Sequence, residues 1–431
     1  MRMYDTYKNS DIEWLDVIPS HWNIAMFKNI SYMKGRIGWQ GLKHSEFLDD
    51  KTLPYLITGM NFKNGIINWN DVYHISLDRY KEAPEIQLRE QDILMTKDGT
   101  IGKLLFIDYL PGLASMNSHL LVFRPLKKSY LPKFIYYQLQ SGNFYGHVEN
   151  YKYGTTFYGL SQESMGKFLC LLPPNNEQQA IANYLDAKTQ AIDKKVTLLE
   201  QKIETYKKLK RTLINQTITK GLDKNVTLKD SGISWIGQIP QHWEVKRFKS
   251  FADTIKGKNL EVFDNQIEGT LPNLSLEYLR NDSVGFEAFV KTNNRNLIVD
   301  ENDLIIVWDG AGVGEILNGK VGVISSTIAK LKFNKSVNAK FFSFIRYDLE
   351  YRLKQIPTGM GIPHLNPHEL KNFMCPIPPK SEQEEIAQYL DHKTTTIDAI
   401  VGNISKQIDT LKQLRKTLIN DVVTGKIKVV D

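Results

Sequence analysis

LLPPNNEQQAIANYLDAKTQAID, residues 171–193, returns at 376–398 as PIPPKSEQEEIAQYLDHKTTTID. Thirteen of the 23 positions are identical at an offset of 205. The match runs on without a gap into KLKRTLINQTITKG (208–221) against QLRKTLINDVVTGK (413–426). Self-similarity on this scale decides the architecture before any local reading does. Each block follows Pro-Pro, which ends the preceding element and is tolerated just before a helix. Asn176 with Gln179, and Ser381 with Glu384, have capping-box spacing. No proline interrupts either block, and the interiors are rich in helix formers.

Apolar residues in these blocks recur every seven. Leu185, Ile192, Leu199, Tyr206 and Leu213 form one seam, with Val196 and Ile203 beside it. Leu390, Ile397, Ile404, Leu411 and Leu418 repeat it, with Val401 and Ile408. Four or more sustained heptads predict a coiled coil, and 40 residues of helix span about 60 Å. The two helices are expected to pair antiparallel, with one middle domain at each end and a pseudo-two-fold between them. The alternative is that each helix packs on its own domain. Residues 194–220 carry eight Lys/Arg against two acids, and 399–426 carry five against two. Such runs are either solvated faces or contacts for an acidic partner.

Outward from the helices, WLDVIPSHWNIAMFKNI (14–30) matches WIGQIPQHWEVKRFKSF (235–251), now at an offset of 221. Seven positions agree, among them Pro19/Pro240, His21/His242 and Trp22/Trp243. His21 and His242 read as turn and packing residues. The intervening stretches, 31–153 and 252–358, look little alike. The chain is therefore two copies of one unit with shared ends and divergent middles, a common frame carrying two different surfaces. The fold class is mixed α/β (α+β) in tandem repeat. Its expected boundaries are a first domain at 1–174, a helix at 175–221, a linker and second domain at 222–379, and a helix with tail at 380–431.

Short apolar runs predict strands at 53–58, 92–96, 103–108 and 119–123, with a helix at 131–140. Their counterparts are 271–276, 303–308, 321–324 and 328–333, with a helix at 339–354. Two correspondences survive in the middles. QDILMTKDGTIGK (91–103) matches NDLIIVWDGAGVGE (302–315), a strand running into a glycine turn. GTTFYGLSQESMGKF (154–168) matches GMGIPHLNPHELKNF (359–373), a polar loop that is either a binding surface or a connector.

Composition bounds the rest. A chain of 431 residues needs two or more cores. With 42% apolar and 24% charged residues it falls in the ordinary globular class. Cys170 and Cys375 give neither a disulfide framework nor a zinc ligand set. The N-terminus has no apolar signal region and no run is long enough to span a bilayer. A cytoplasmic protein without membrane association is expected. The net charge of +7 permits a polyanionic partner. No P-loop, H-E-x-x-H or C-x-x-C occurs, so no catalytic or metal residue is assigned. Residues 305–317 resemble the strand-and-glycine loop of S-adenosylmethionine-dependent methyltransferases. Against that, copy one lacks the pattern, no Rossmann-type strand–helix series follows, and no Asn/Asp-Pro-Pro-aromatic tetrapeptide is present.

Taken together, the twice-repeated Ile-Pro-x-His-Trp, the Asp-Ile-Leu or Asp-Leu-Ile strand with its glycine loop, the Pro-Pro-x-x-Glu-Gln helix start, the Lys-x-Thr-Leu-Ile-Asn helix end and the closing VTGKIKV resemble type I restriction-modification specificity subunits. The resemblance covers both halves in order. It implies a non-catalytic DNA-binding subunit in which each target-recognition domain reads one half of a split, asymmetric site. It also implies paired helices that set the gap and dock two modification subunits, with restriction subunits joining for cleavage. It implies that this chain binds no cofactor, while the partners use S-adenosylmethionine, ATP and Mg. Base contacts call for Arg, Lys, Asn or Gln, and phosphate contacts for Lys, Ser and Thr. Lys97, Lys103, Lys152, Tyr153, Thr155 and Thr156 are the candidates in copy one, in glycine-bearing loops. Lys256, Lys258, Asn293, Asn294 and Arg295 are those in copy two, in polar segments. A solvated loop is the alternative for each. At the level of the whole chain, the competing readings are a self-sufficient methyltransferase and a protein-binding scaffold.

Overall fold

The computed structural model describes residues 2–12, 15–36, 41–62, 65, 67–154, 159–281, 283–286, 288–359 and 361–429. The chain forms two compact units, one of residues 1–200 with 405–431 and one of residues 201–404. The division cuts both long helices, so each unit owns half of each.

The first unit is built on a four-stranded antiparallel sheet. Its strands are β1 (Ser31–Gly35), β2 (Ile93–Thr96), β3 (Leu104–Phe106) and β4 (Leu120–Pro125), in the order β1-β4-β2-β3. β2 is buried along its whole length, as are the first four residues of β4. Alternation along a strand sends successive side chains to opposite faces. Ile93, Met95, Leu121 and Phe123 therefore face the helical side, with Phe27, Phe134 and Phe144. Leu94, Leu120 and Val122 face a small sheet of Tyr55–Ile57, Tyr73–His74 and Ala114–Met116. Two shorter helices, α1 (Pro132–Gln138) and α2 (Gly142–Tyr151), cover the first face. The pair Asn23–Met26 and Leu169–Leu172 closes the domain and feeds Pro173-Pro174 and then the long helix α3 (Asn175–Lys220).

The second unit repeats this plan. β5 (Ala252–Lys256), β6 (Leu304–Val307), β7 (Ile316–Asn318) and β8 (Ile328–Phe333) run in the order β5-β8-β6-β7. Leu304 and Ile306 face α4 (Ala339–Gln355), while Ile305 and Val307 face a five-stranded sheet. The covering sheets share one feature, a parallel pair: Tyr55–Ile57 beside Ala114–Met116, and Thr270–Leu274 beside Gly322–Ile324. Thus the middles that look unlike in sequence hold the same central sheet. The expected strands all form, as do the expected helices at 131–140 and 339–354. The glycine loop after β6 turns directly back into antiparallel β7. It is a hairpin, whereas a methyltransferase loop would lead from a strand into a helix, so that reading is overturned.

The second long helix is α5 (Lys380–Val423). The capping boxes expected at Asn176 and Ser381 do not form, because the helices begin earlier, at Asn175 and Lys380. Pro174 and Pro379 take the cap position instead: their carbonyls accept from Glu177 and Gln178, and from Gln383. In the first unit the start of α3 and the end of α5 enter one core, through Ile181 and Leu185 with Ile419, Val422 and Val423. In the second unit the start of α5 and the end of α3 do the same, through Ile386 and Leu390 with Ile214 and Ile218.

The helices pair antiparallel, and the heptad seam is where they meet. Leu185, Leu390, Ile397 and Ile404 are buried; Ile192, Leu199, Tyr206, Leu213, Leu411 and Leu418 are half-buried. The seam also passes through a cation in each unit. Arg415 pairs with Asp193 at 3.0 Å in the first, and Lys210 with Asp398 at 2.6 Å in the second. Both pairs obey the 205 offset, so the duplication conserved the lock as well as the seam.

Candidate nucleic-acid interface

The repeated His-Trp motif holds the frame on which any surface must sit. Trp22 and Trp243 are fully buried. Trp22 Nε1 donates to Glu177 at 3.2 Å, and Trp243 Nε1 to Glu382 at 2.9 Å. His21 and His242 reach the same carboxylates at 2.8 and 2.6 Å. These are the glutamates of the Pro-Pro-x-x-Glu-Gln motif, in the first turn of α3 and α5, where a carboxylate also complements the helix dipole. Gln178 and Gln383 complete the anchor. Each donates to the carbonyl of the first proline of its Pro-Pro pair and accepts from a domain amide, of Leu131 or Asn338. The far end of the other helix closes on the same tryptophan. Gly221, at φ +75, lies against Trp243, and Gly425, at φ +74, against Trp22 and Pro19. Left-handed glycines of this kind end helices. The shared sequence ends are therefore joints, and they leave the loops beyond the central strands for other work.

Those loops converge in both units. In the first, Asp98 of the glycine loop bridges to Gly159, which also ladders with Tyr153. Lys97 N donates to the His119 carbonyl, and the Lys97 carbonyl accepts from Leu160. In the second, Asp309 bridges to His364, which ladders with Thr358. Trp308 N donates to the Thr327 carbonyl, and the Trp308 carbonyl accepts from Leu365. The two sequence correspondences thus form one site in each unit, built from the same backbone bonds. Lys97 corresponds to Trp308, Asp98 to Asp309, His119 to Thr327 and Gly159 to His364.

Side chains at the two sites differ. His119 Nδ1 lies 3.2 Å from Asp98 Oδ2. In the second unit Asp309 takes two partners, His364 Nδ1 at 2.6 Å and Lys256 Nζ at 2.9 Å. Lys256 also lies over the Trp308 ring, 5.7 Å from its centroid. Burial alone would raise the Asp309 carboxyl, but the hydrogen bonds and charges of His364 and Lys256 bring it below the usual value.

The candidate residues fall in and around these sites. Lys97 is half-buried within the first, and Lys103 is exposed at the far end of its glycine loop. Tyr153 is exposed, its ring over Gly159, where a Cβ would meet it at 2.6 Å. Lys152 pairs with Glu149 at 2.6 Å. Thr155 and Thr156 lie outside the described residues. Lys256 is tied to Asp309, and Lys258 is exposed just beyond it. Asn293, Asn294 and Arg295 are exposed, and Asn294 caps the turn Arg295–Leu297 that lies against β5. The structure thus puts Lys97 and Tyr153 on segments that meet at Gly159 and Leu160, and the turn Arg295–Leu297 against the strand that ends at Lys256. Asp98, His119, Trp308, Asp309 and His364 escaped the sequence reading. The paired Asp-Gly of the two glycine loops marked the anchors, but nothing in the repeat marked the histidines.

Among the described residues no group of His, Cys, Asp and Glu fits a metal ion, and no helix is long and apolar enough to cross a membrane.

A family model for the type I restriction modification DNA specificity domain matches residues 40–205 and 240–410. The type I restriction enzyme MjaVIII specificity subunit of Methanocaldococcus jannaschii is 39% identical over 189 residues, spanning 43% of each chain. The EcoKI specificity subunit of Escherichia coli is 19% identical over 430 residues, spanning 95% of this chain and 90% of that one. A chain from a type I R-M system described for its complex assembly aligns with a TM-score of 0.70 at 16% identity, over 95% of this chain and 99% of that one. The HsdS subunit from Thermoanaerobacter tengcongensis aligns at 0.53 and 16%, over 95% and 98%.

Proposed function

Since this chain belongs to the type I restriction modification DNA specificity family, we propose that it selects the DNA sequence for a multisubunit enzyme and does no chemistry itself. Each unit reads one half of a bipartite, asymmetric double-stranded site. The paired helices set the gap and carry two modification subunits, and restriction subunits join these for cleavage. S-adenosylmethionine, ATP and Mg belong to those partners, and the assembly works in the cytoplasm.

One observation carries this reading. Two copies of one frame hold two different sets of polar side chains at the same backbone position. An anchor of identical geometry with unlike contents suits a pair of readers with different targets. The contents are also of the right kind: cations for phosphates, with an imidazole, tyrosine and tryptophan for bases. The apolar seam and the ion pair within each unit favour a stiff helix pair there. Half-sites one turn apart lie about 34 Å centre to centre, a distance that the long helices of 46 and 44 residues exceed at 1.5 Å per residue.

The test is methyl transfer from labelled S-adenosylmethionine. The purified chain alone is expected to transfer nothing, and the chain with modification subunits to methylate DNA. Transfer by the chain alone would overturn the proposal.

A further inference from the structure

The aspartate that opens each glycine loop is shared by both units, and each holds a histidine taken from a different place. His119 stands immediately before β4, beside the loop in the sheet. His364 stands on the polar loop between α4 and α5, where its backbone bridges to Asp309. At the position equivalent to His119 the second unit has Thr327, and at that equivalent to His364 the first has Gly159. The hairpin partners are exchanged as well: Tyr153 lies over Gly159 in one unit, while His364 packs against Gly359 in the other, where a Cβ would meet the ring at 2.7 Å. A pairing needed only to close the loop would be expected to survive duplication in place. Here the anchor stays and the ring is supplied anew.

The chemistry of the pair is directional. Asp309 is ionised, with Lys256 on one oxygen and His364 Nδ1 on the other. An ionised carboxylate only accepts, so Nδ1 must donate. With a single ring proton, held at Nδ1, Nε2 is an acceptor. Its carboxylate side chain is 18% exposed and the ring 49%. The first unit shows the same gradient, 20% for Asp98 and 57% for His119. Among the described residues neither Nε2 has a hydrogen-bond partner. Each site is therefore a fixed acceptor held out from the surface on a covered anchor, beside Lys97 in one unit and Lys256 in the other.

We propose that His364 and His119 are specificity-determining residues, each reading one base pair of its unit's half-site through Nε2. The group read is an exocyclic amine in the major groove, adenine N6 or cytosine N4. This rests on the DNA-reading function proposed above.

The experiment maps N6-methyladenine by single-molecule sequencing in cells carrying the complete system with wild-type or variant chain. Wild type is expected to give a two-part motif; if it gives none, the DNA-reading function fails and this inference with it. With that motif in hand, His364→Ala is expected to relax one position of one half, with discrimination there falling about tenfold. His119→Ala is expected to relax one position of the other half, each leaving its opposite half and the gap intact. Asp309→Asn separates base reading from loop closure. Lys256 only donates, so the Asn carbonyl must face it and the Asn amide must donate to His364 Nδ1. Nε2 then carries the proton. The same position is expected to change its preference, toward the acceptors of guanine or thymine on the strand read. An unchanged motif in the alanine variants, or loss of both halves by a variant complex that still assembles, would overturn the inference.

Discussion

At the residue scale, the frame depends on two buried tryptophans that each join two helix ends. Trp243 touches Gly221 at the end of α3 and donates to Glu382 at the start of α5. Removing the ring opens a cavity; removing only the donor leaves the carboxylate short of one charge-assisted bond. Trp243→Ala is expected to cost about 3–5 kcal/mol, and Trp243→Phe about 2 kcal/mol, both read from urea unfolding. Equal costs would mean that the packing of the ring contributes nothing beyond the hydrogen bond. His147 gives the first unit a pH dependence. It is buried, and its Nε2 donates to the Ser164 carbonyl at 2.9 Å. Burial lowers its pKa below 6.5 despite that bond. The unfolded chain therefore binds the proton first. The stability is complete above 6.5 and is lost as pH falls through the lower, folded value. His147→Gln is expected to flatten stability between neutral pH and pH 5; an unaltered slope would assign the dependence to other groups.

At the scale of the element, the two long helices have a polar lock within an apolar seam. Arg415–Asp193 and Lys210–Asp398 are equivalent by the repeat, and the aspartates are more than half exposed. Exposed pairs are worth little, so each double-mutant cycle is expected to give about 0.2–1 kcal/mol. The two values should agree within that range, since the geometry is duplicated; a coupling of several kcal/mol at one site only would break the equivalence. Much of this level was legible in the sequence. The heptads announced the helices because the seam repeats without a break, and the central strands were plain because both their faces are buried. Other elements were not. Helix Gly142–Tyr151 contains Gly142, Gly146 and two asparagines, and it stands through the Ser141 cap and the burial of Phe144 and Val148. Its helicity comes from packing, which propensity does not record. The capping boxes misled because the helices start one residue before them, on the carbonyls of Pro174 and Pro379.

For the whole molecule, the duplication is the organising fact. Where the two copies agree, the residues join helices to domains: His-Trp, Glu-Gln, the closing glycines and the seam. Where they differ, the same backbone bonds present different side chains. The candidate site was only half legible for this reason. Lys97, Tyr153 and Lys256 could be picked from their loops. The Asp–His pairs could not, because His119 and His364 come from segments that do not correspond and only the fold brings each to its aspartate. The central claim is that the two units read two separate DNA sequences. The direct measurement is footprinting of the chain assembled with modification subunits on a duplex carrying its site. Two protected blocks of different sequence, separated by a gap of fixed length, are predicted. A single continuous block, or no protection by the assembled complex, would contradict the account.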